Sequence, residues 1–498
     1  MTARAWVLVL LGACVGVRLT GLETLPIFID EAIHIGWASQ LAEEGTLDGP
    51  LRDGKVLQAA LLAGILPSSA RPLRAARTVS VAVGALGLAA TAWLGSLLFG
   101  PHVGVVAAAF YLLCPFTLAY DRMALADTYL STLASLSLAL AVRLARRPRR
   151  GTALALGLGL AGCVLAKVTG AIVLLLPPLA LLLLGRGGRR RPAILFGLAS
   201  ATAALIAGFP FVHFLQRSEQ LDKANLVGTG RLEVAAQNFR TLGSWLLDYL
   251  TLPLLTLGIL GLLLGLAYRR RETLLLALAA ALPLLIFASL SVHWYPRYVL
   301  FAVPPLLVAA ARGLVVLGIL GRRALHGRAR LPLLLALGLA AASPASVAFD
   351  ARLVLDPPSA PWPEVESFQY VYGFSSGYGC VELVARLRSE AERQPGGILV
   401  LDDASAGRRT AWHAMGALLA REPRVELGLL DLSEEFDRKR IDAWARGRPV
   451  FVVAWSRRVA EQRAARPWTL MASFVKPNGV PAGALYVLPW TRRASGVR

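Results

Sequence analysis

Six separate stretches of this sequence carry charged residues beside apolar runs, and their types are those of acid–base and phosphate chemistry. Asp30, Glu31 and His34 stand in "PIFIDEAIHIGWASQLAEEG", just after the first apolar run. Lys55 lies in "LRDGKVLQ" and Arg77 in "RAARTVS". Asp121, Arg122 and Asp127 share "YDRMALADTYL", Lys167 stands in "LAKVTG", and His293, Arg297 and Tyr298 share "HWYPRY". A carboxylate can act as general base on an acceptor hydroxyl or amine. Cations can hold and stabilise a departing phosphate. Together these groups suit a phosphorylated, lipid-borne substrate that enters between helices. Snorkelling explains interfacial Arg and Lys, but it does not explain Asp30 and Asp127.

Plainer readings exist for each residue. Asp30 and Glu31 can cap a helix where the chain leaves a membrane, and Lys55 can be an interfacial anchor. Asp127 can pair with Arg122, and Lys167 can be structural. Arg77 reads as a structural partner, and His213 and His293 as members of an interfacial aromatic belt.

The elements that position these groups are membrane spans. The chain has 498 residues, 56% of them hydrophobic, with a mean hydropathy of +0.58 and a formal net charge of +21. The basic residues bunch in short clusters between apolar runs, which is the pattern of a polytopic membrane protein rather than of a nucleic-acid-binding surface. At about 20 apolar residues per crossing, eleven spans are expected, near 5–22, 75–98, 101–119, 124–145, 151–166, 168–185, 193–213, 244–267, 273–291, 297–319 and 331–349. The first is read as a retained helix, because no small-x-small cleavage site follows it. The clusters ending at Arg150, Arg191, Glu272 and Arg330 fall on one side if the spans alternate. The loop 23–74, with seven acids, falls on the other. This places the basic loops and the N-terminus in the cytoplasm, and the acidic loop and everything after residue 350 outside. A bacterial inner membrane is the expected location.

Apolar residues Ile33, Trp37, Ala38 and Leu41 recur near helical spacing, with Asp30 as the expected N-cap. A second segment at 56–66 stops at Pro67. Both are expected to be amphipathic helices on the outer membrane surface. After the Pro-rich "DPPSAPWPE", the runs "GILVLDD" and "RPVFVVAW" read as strands. Helices are expected near 380–394, 409–421 and 433–446, followed by a terminal hairpin. The expected division is a membrane domain at 1–349 and a soluble α/β domain at 350–498. The aromatic, Gly-rich "QYVYGFSSGYG" reads as a loop joining the two, with an acceptor-facing role as the alternative. Cys14, Cys114, Cys163 and Cys380 suggest neither a zinc site nor a disulfide framework.

The ordered set of motifs resembles the GT-C superfamily of integral membrane glycosyltransferases. Within it, the chain is similar to the branch of protein O-mannosyltransferases and lipid A aminoarabinose transferase, glycosyltransferase family 39 and its relatives. The resemblance covers roughly residues 5–320, and it rests on "IDEAIHIGWASQLAEEG", "RDGK", "RAARTVS", "PFTLAYDRMALADTYL", "LAKVTG" and "RYVLFAVPP" in the family's order. It implies an inverting transfer of a sugar from a polyprenyl-phosphate donor to a glycan, lipid or protein acceptor on the extracytoplasmic side. It implies catalytic roles for Asp30, Glu31 and Asp127, with Asp30 as base. It also implies that Lys55 holds the lipid phosphate, and that Arg122, Arg297, Tyr298, Lys167 and His34 are candidates for phosphate or sugar contacts. The family's Lys is often followed by prolines, whereas this chain has "KVLQ". No cofactor is assigned. Some GT-C enzymes bind a divalent cation through paired acids, and Asp30, Glu31 and Asp127 are of the ligand type for a hard cation, but this branch generally needs none. The competing class is a proton-coupled transporter built on the same carboxylates, which should show internal repeats. A third class is a binding protein acting through the outer domain.

Overall fold

The structure is a computed structural model that describes residues 2–185, 190–218, 231–291, 293–403, 410–430, 438–454, 469–479 and 481–487. Parts of the expected loop 214–243, of the basic run "RGGRRR" and of the helix at 433–446 lie outside the described residues. The chain divides into two compact units. One comprises Met1–Leu22, Trp37–Pro67 and Ala76–Pro363. The other comprises Glu23–Gly36, Ser68–Ala75 and Glu364–Arg498.

The first unit is helical. Its elements begin with α1 (Ala3–Leu19), and α2 (Ile29–Glu44) contributes its second half. Then come α3 (Asp48–Asp53), α4 (Val56–Ala63), α5 (Pro72–Phe99), α6 (Pro101–Leu113), α7 (Pro115–Asp121), α8 (Ala126–Arg146) and α9 (Arg150–Ala166). A 3-10 helix (Val168–Leu175) leads into α10 (Leu176–Leu184), followed by α11 (Arg190–Arg217), α12 (Arg231–Tyr268) and α13 (Arg270–Leu290). A second 3-10 helix (Pro296–Ala302) leads into α14 (Val303–Ala324), α15 (Leu331–Ala342) and α16 (Pro344–Leu355). Among the described residues, 6 helices are long and apolar enough to cross a membrane, or up to 8 if each bent pair is one span. Fewer pass than the expected eleven because α1 and α9 have 17 residues each, and because prolines break others. Pro115 opens a 63° bend between α6 and α7, and Pro344 a 56° bend between α15 and α16. α12 is two helices joined at Thr251, two residues before Pro253.

Small residues let these helices approach closely. A side chain on Gly261 of α12 would run into the Ala309 carbonyl of α14, and one on Gly313 would meet the Leu257 carbonyl. Burial in α2 does not follow the expected amphipathic stripe. Its buried positions are Glu31, Ala32, His34, Ile35 and Ala38, whereas Ile33, Trp37 and Leu41 are half-buried.

The second unit contains a five-stranded sheet in the order β2-β1-β3-β5-β4. Its strands are β1 (Ile398–Asp403), β2 (Val425–Leu430), β3 (Val450–Ala454), β4 (Thr469–Val475) and β5 (Pro481–Val487). β1 pairs parallel with β2 and β3, and β5 pairs antiparallel with β3 and β4. Alternation along β1 serves both faces. Ile398 and Val400 pack with Leu383, Leu387 and Met415, from α18 (Cys380–Glu392) and α19 (Thr410–Leu419). Leu399 and Leu401 pack with Ile441 and Ala445 of α20 (Arg438–Ala445). A one-turn helix, α17 (Glu364–Ser367), precedes these elements.

The same unit holds the stretch that launches α2. The Ile29 N–H donates to the Ser375 carbonyl at 3.2 Å, and the Phe28 and Tyr370 rings meet edge to face with centroids 4.9 Å apart. Any side chain at Gly377 would strike the Ile27 carbonyl. "QYVYGFSSGYG" is therefore the seat of residues 27–29.

Candidate active site

Within the helical unit, two turns bring distant charges together. Gly54 follows α3 in the left-handed region, at φ +68°, which a glycine adopts without strain. This turn aims the Gly54 carbonyl at the Val168 N–H, 2.9 Å away. A Cβ on Gly54 would press on Val168 and the Phe214 ring. The "DGK" turn thus docks on the "KVTG" turn, and Lys55 and Lys167 flank the junction.

Each lysine is paired. Lys55 Nζ lies 2.7 Å from Asp53 Oδ2, and Lys167 Nζ donates to Asp127 Oδ1 at 2.8 Å. Asp127 sits in the first turn of α8, where the helix dipole favours a carboxylate. The Lys167 ammonium also lies 4.1 Å from the Tyr298 ring centre. The Arg297 guanidinium lies over Tyr295 at 4.9 Å and Tyr298 at 5.7 Å. Lys55 and Arg297 are near enough for their charges to act on Lys167. Three cations, Lys55, Lys167 and Arg297, thus lie in one region, with Asp53 on Lys55 and Asp127 on Lys167. An ammonium has three donors, and the Asp53 and Asp127 contacts each engage one lysine. Such a cluster suits a phosphate.

Arg122 is placed differently from the expectation. Its guanidinium donates to the carbonyls of Val17, Arg18, Thr20 and Gly21, where α1 ends. It does not pair with Asp127; helix-end carbonyls take its Nη1 and Nη2 donors. Asp121 accepts from Arg18 at 2.8 Å inside the bundle. Arg77 donates to the Leu22 carbonyl at 2.8 Å, as a structural partner would.

Asp30, Glu31 and His34 belong to the other unit. Asp30 is half-buried in the first turn of α2, one position inside the helix start. The expected cap is corrected by Glu31, whose Oε2 accepts the Phe28 N–H at 3.0 Å. Phe28 is the residue before the helix, so Glu31 makes the reciprocal half of a capping box. Glu31 is 0% exposed and His34 3% exposed. Among the described residues, no group of three or more His, Cys, Asp or Glu side chains is placed to hold a metal ion.

Three participants escaped the sequence reading. Asp53 was counted only as one acid of the outer loop, although it adjoins "GK". Tyr295 stands in "HWYPRY" beside Arg297 and Tyr298 but carries no charge to mark it. Arg18, inside an apolar run, carried the signal of a costly intramembrane charge and was passed over.

No family model matches the sequence, and no curated protein matches it. Solved structures do match. ArnT from Cupriavidus metallidurans bound to undecaprenyl phosphate superposes with a TM-score of 0.65 at 13% identity, over 98% of each chain. The Archaeoglobus fulgidus oligosaccharyltransferase superposes with a TM-score of 0.57 at 12% identity, over 97% of this chain and 74% of that one. The oligosaccharyltransferase AglB from Archaeoglobus fulgidus, in complex with an inhibitory peptide and a dolichol-phosphate, gives 0.53 at 12% identity over the same shares. These likenesses span nearly the whole chain, sheet-bearing unit included, and they establish that this polytopic helical membrane protein has the fold shared by ArnT and the archaeal oligosaccharyltransferase.

Proposed function

We propose that the chain is an inverting glycosyltransferase that moves a sugar from a polyprenyl-phosphate donor to an acceptor outside the membrane. The observation that carries this reading is the Lys55–Lys167–Arg297 cluster with its two paired aspartates, set in a fold whose relative ArnT is bound to undecaprenyl phosphate. The acceptor hydroxyl or amine attacks the anomeric carbon from the face opposite the phosphate. The bond from that carbon to the phosphate oxygen breaks, and its electron pair leaves with the phosphate. Lys55 holds the lipid phosphate, and Lys167 and Arg297 stabilise the departing charge. The acceptor proton passes to the Asp30 carboxylate. Asp127 holds Lys167 in place, and Tyr298 supports both Lys167 and Arg297. Arg122 acts from a distance by fixing the end of α1.

The acceptor class is a glycan, lipid or protein of the cell envelope, and no divalent cation enters the scheme. We read the helical elements as eleven crossings, with α1, α9 and the Val168–Leu184 stretch as short spans and each bent pair as one. The basic loops then lie in the cytoplasm and the sheet-bearing unit outside, in a bacterial inner membrane. The test is transfer of label from a polyprenyl-phosphate sugar to an acceptor pool from cell envelopes. Asp30→Asn should lower the rate by about 10²-fold or more. Transfer at the wild-type rate would remove Asp30 as base.

A further inference from the structure

A second basic site lies in the helical unit, where the segments "RLARRPRR" and "YRRRE" meet the α5–α6 turn. It is a cavity of about 380 Å³ lined by Ser96, Phe99, Gly100, Arg146, Arg147 and Arg269. That volume lies at the lower end of the range for small-molecule sites. Its charge is unbalanced. Arg146 is committed to the fold, donating to the Leu97 carbonyl and, at 2.9 Å, to Glu272. Arg269 shares Glu272 only loosely, at 3.7 Å, and is itself 57% exposed. No acid among the described residues pairs with the Arg147 side chain. Arg312 stands behind Phe99, its guanidinium 5.4 Å from the ring, and its charge and that of Arg269 act on each other. One carboxylate therefore answers three arginines at the cavity wall. Gly100 opens α6 without a side-chain cap, which adds the positive end of a 13-residue helix.

The rim is apolar. Leu97, Leu98 and Phe99 line the cavity. Tyr268, beside Arg269, is 72% exposed, and Leu266 and Leu274 are also exposed. In a membrane-spanning bundle such side chains face acyl chains and headgroups. A phosphate can come from a soluble anion or from a lipid, and a basic pocket whose Arg269 is flanked along its helices by exposed apolar side chains is the arrangement that holds a lipid headgroup.

We propose that this cavity binds the phosphate headgroup of an anionic membrane lipid, with Arg147 and Arg269 as its anchors. The site is separate from the transferase reading and stands or falls without it. The test is native mass spectrometry of the delipidated full-length protein, titrated with phosphatidylglycerol or with phosphatidylcholine. Wild-type protein should retain phosphatidylglycerol over phosphatidylcholine. Arg147→Ala with Arg269→Ala should weaken phosphatidylglycerol on the order of 25-fold, about fivefold per arginine. Arg147→Lys with Arg269→Lys should keep most of the binding, which separates lost charge from lost folding. Millimolar inorganic phosphate should leave the bound lipid in place. Equal retention of both lipids, unchanged binding by the alanine pair, or displacement by inorganic phosphate would each overturn the assignment.

Discussion

Asp30 and Glu31 are adjacent, yet their surroundings give them different tasks. Glu31 is buried against the Phe28 N–H, so its truncation to Ala should cost about 1 kcal/mol of stability. Glu31→Gln keeps an acceptor oxygen there and should retain transfer, whereas Asp30→Asn should not. Parallel rate and melting measurements on the two variants separate cap from base. A Glu31→Gln enzyme as inactive as Asp30→Asn would return Glu31 to the chemistry. Lys55 is the better cation to remove, because its pair with Asp53 is partly exposed while the Lys167–Asp127 pair is nearly buried. Lys55→Met should raise the donor KM by about 10- to 100-fold, the worth of one charge-assisted hydrogen bond at roughly 1.5–3 kcal/mol. An unchanged KM would place the phosphate elsewhere. The candidates Lys55, Asp127, Lys167 and Arg297 were legible because charge is rare beside such apolar runs. Their pairing was not, since Asp127 meets Lys167 only through the packing of α8 against α9. Arg122 misled for the same reason: nothing local in "YDRMALAD" says that the carbonyls ending α1 will claim it.

Helices depend on a buried pair that sequence reading half saw. Arg18 of α1 holds Asp121 at 2.8 Å and also donates to the Tyr111 carbonyl and the Thr117 hydroxyl. Gly84 of α5 leaves the space that the Asp121 carboxylate fills. Breaking one partner of a buried pair costs about 3–5 kcal/mol, more than replacing both. Arg18→Met or Asp121→Leu alone should therefore melt well below wild type, and the double variant should recover part of the loss. A double variant no better than the worse single one would mean the pair is not the unit that matters. Apolar runs located the helices of the membrane unit, and β-branched runs located β1 and β3. β2 was missed because Glu426 and Gly428 interrupt "VELGLL". Those two residues serve α20: Glu426 accepts the Trp444 indole N–H at 2.8 Å, and Gly428 leaves room for the Trp444 ring. α3 was missed because Gly49 and Pro50 read as a turn, and Gly49 is where the Trp37 ring lies.

For the molecule as a whole, each unit has its own sensitivity. In the sheet-bearing unit, Lys476 is buried with its ammonium donating to the Gly373 carbonyl, and burial holds its pKa down at about 8 from 10.5. Between those values the unfolded chain binds a proton that the folded chain lacks, so stability should rise as pH increases from about 8 to about 10.5. The gain is on the order of 3 kcal/mol at most. Thermal melts across that window should show the rise in wild type and lose most of it in Lys476→Met; equal slopes would refute the assignment. The mostly helical class and a small sheet towards the end of the chain were readable from apolar and β-branched runs. The membership of residues 23–36 and 68–75 in the sheet-bearing unit was not, because it depends on tertiary contacts such as Ile29 to Ser375. The most direct test of the whole account is a transfer assay with full-length protein and a labelled polyprenyl-phosphate sugar, comparing wild type with Asp30→Asn and Lys55→Met. The account predicts label in an acceptor with inverted anomeric configuration and release of polyprenyl phosphate, both reduced about 10²-fold or more in Asp30→Asn and restored in Lys55→Met by excess donor. Equal transfer by all three proteins, or none by wild type from any polyprenyl-phosphate sugar, would contradict it.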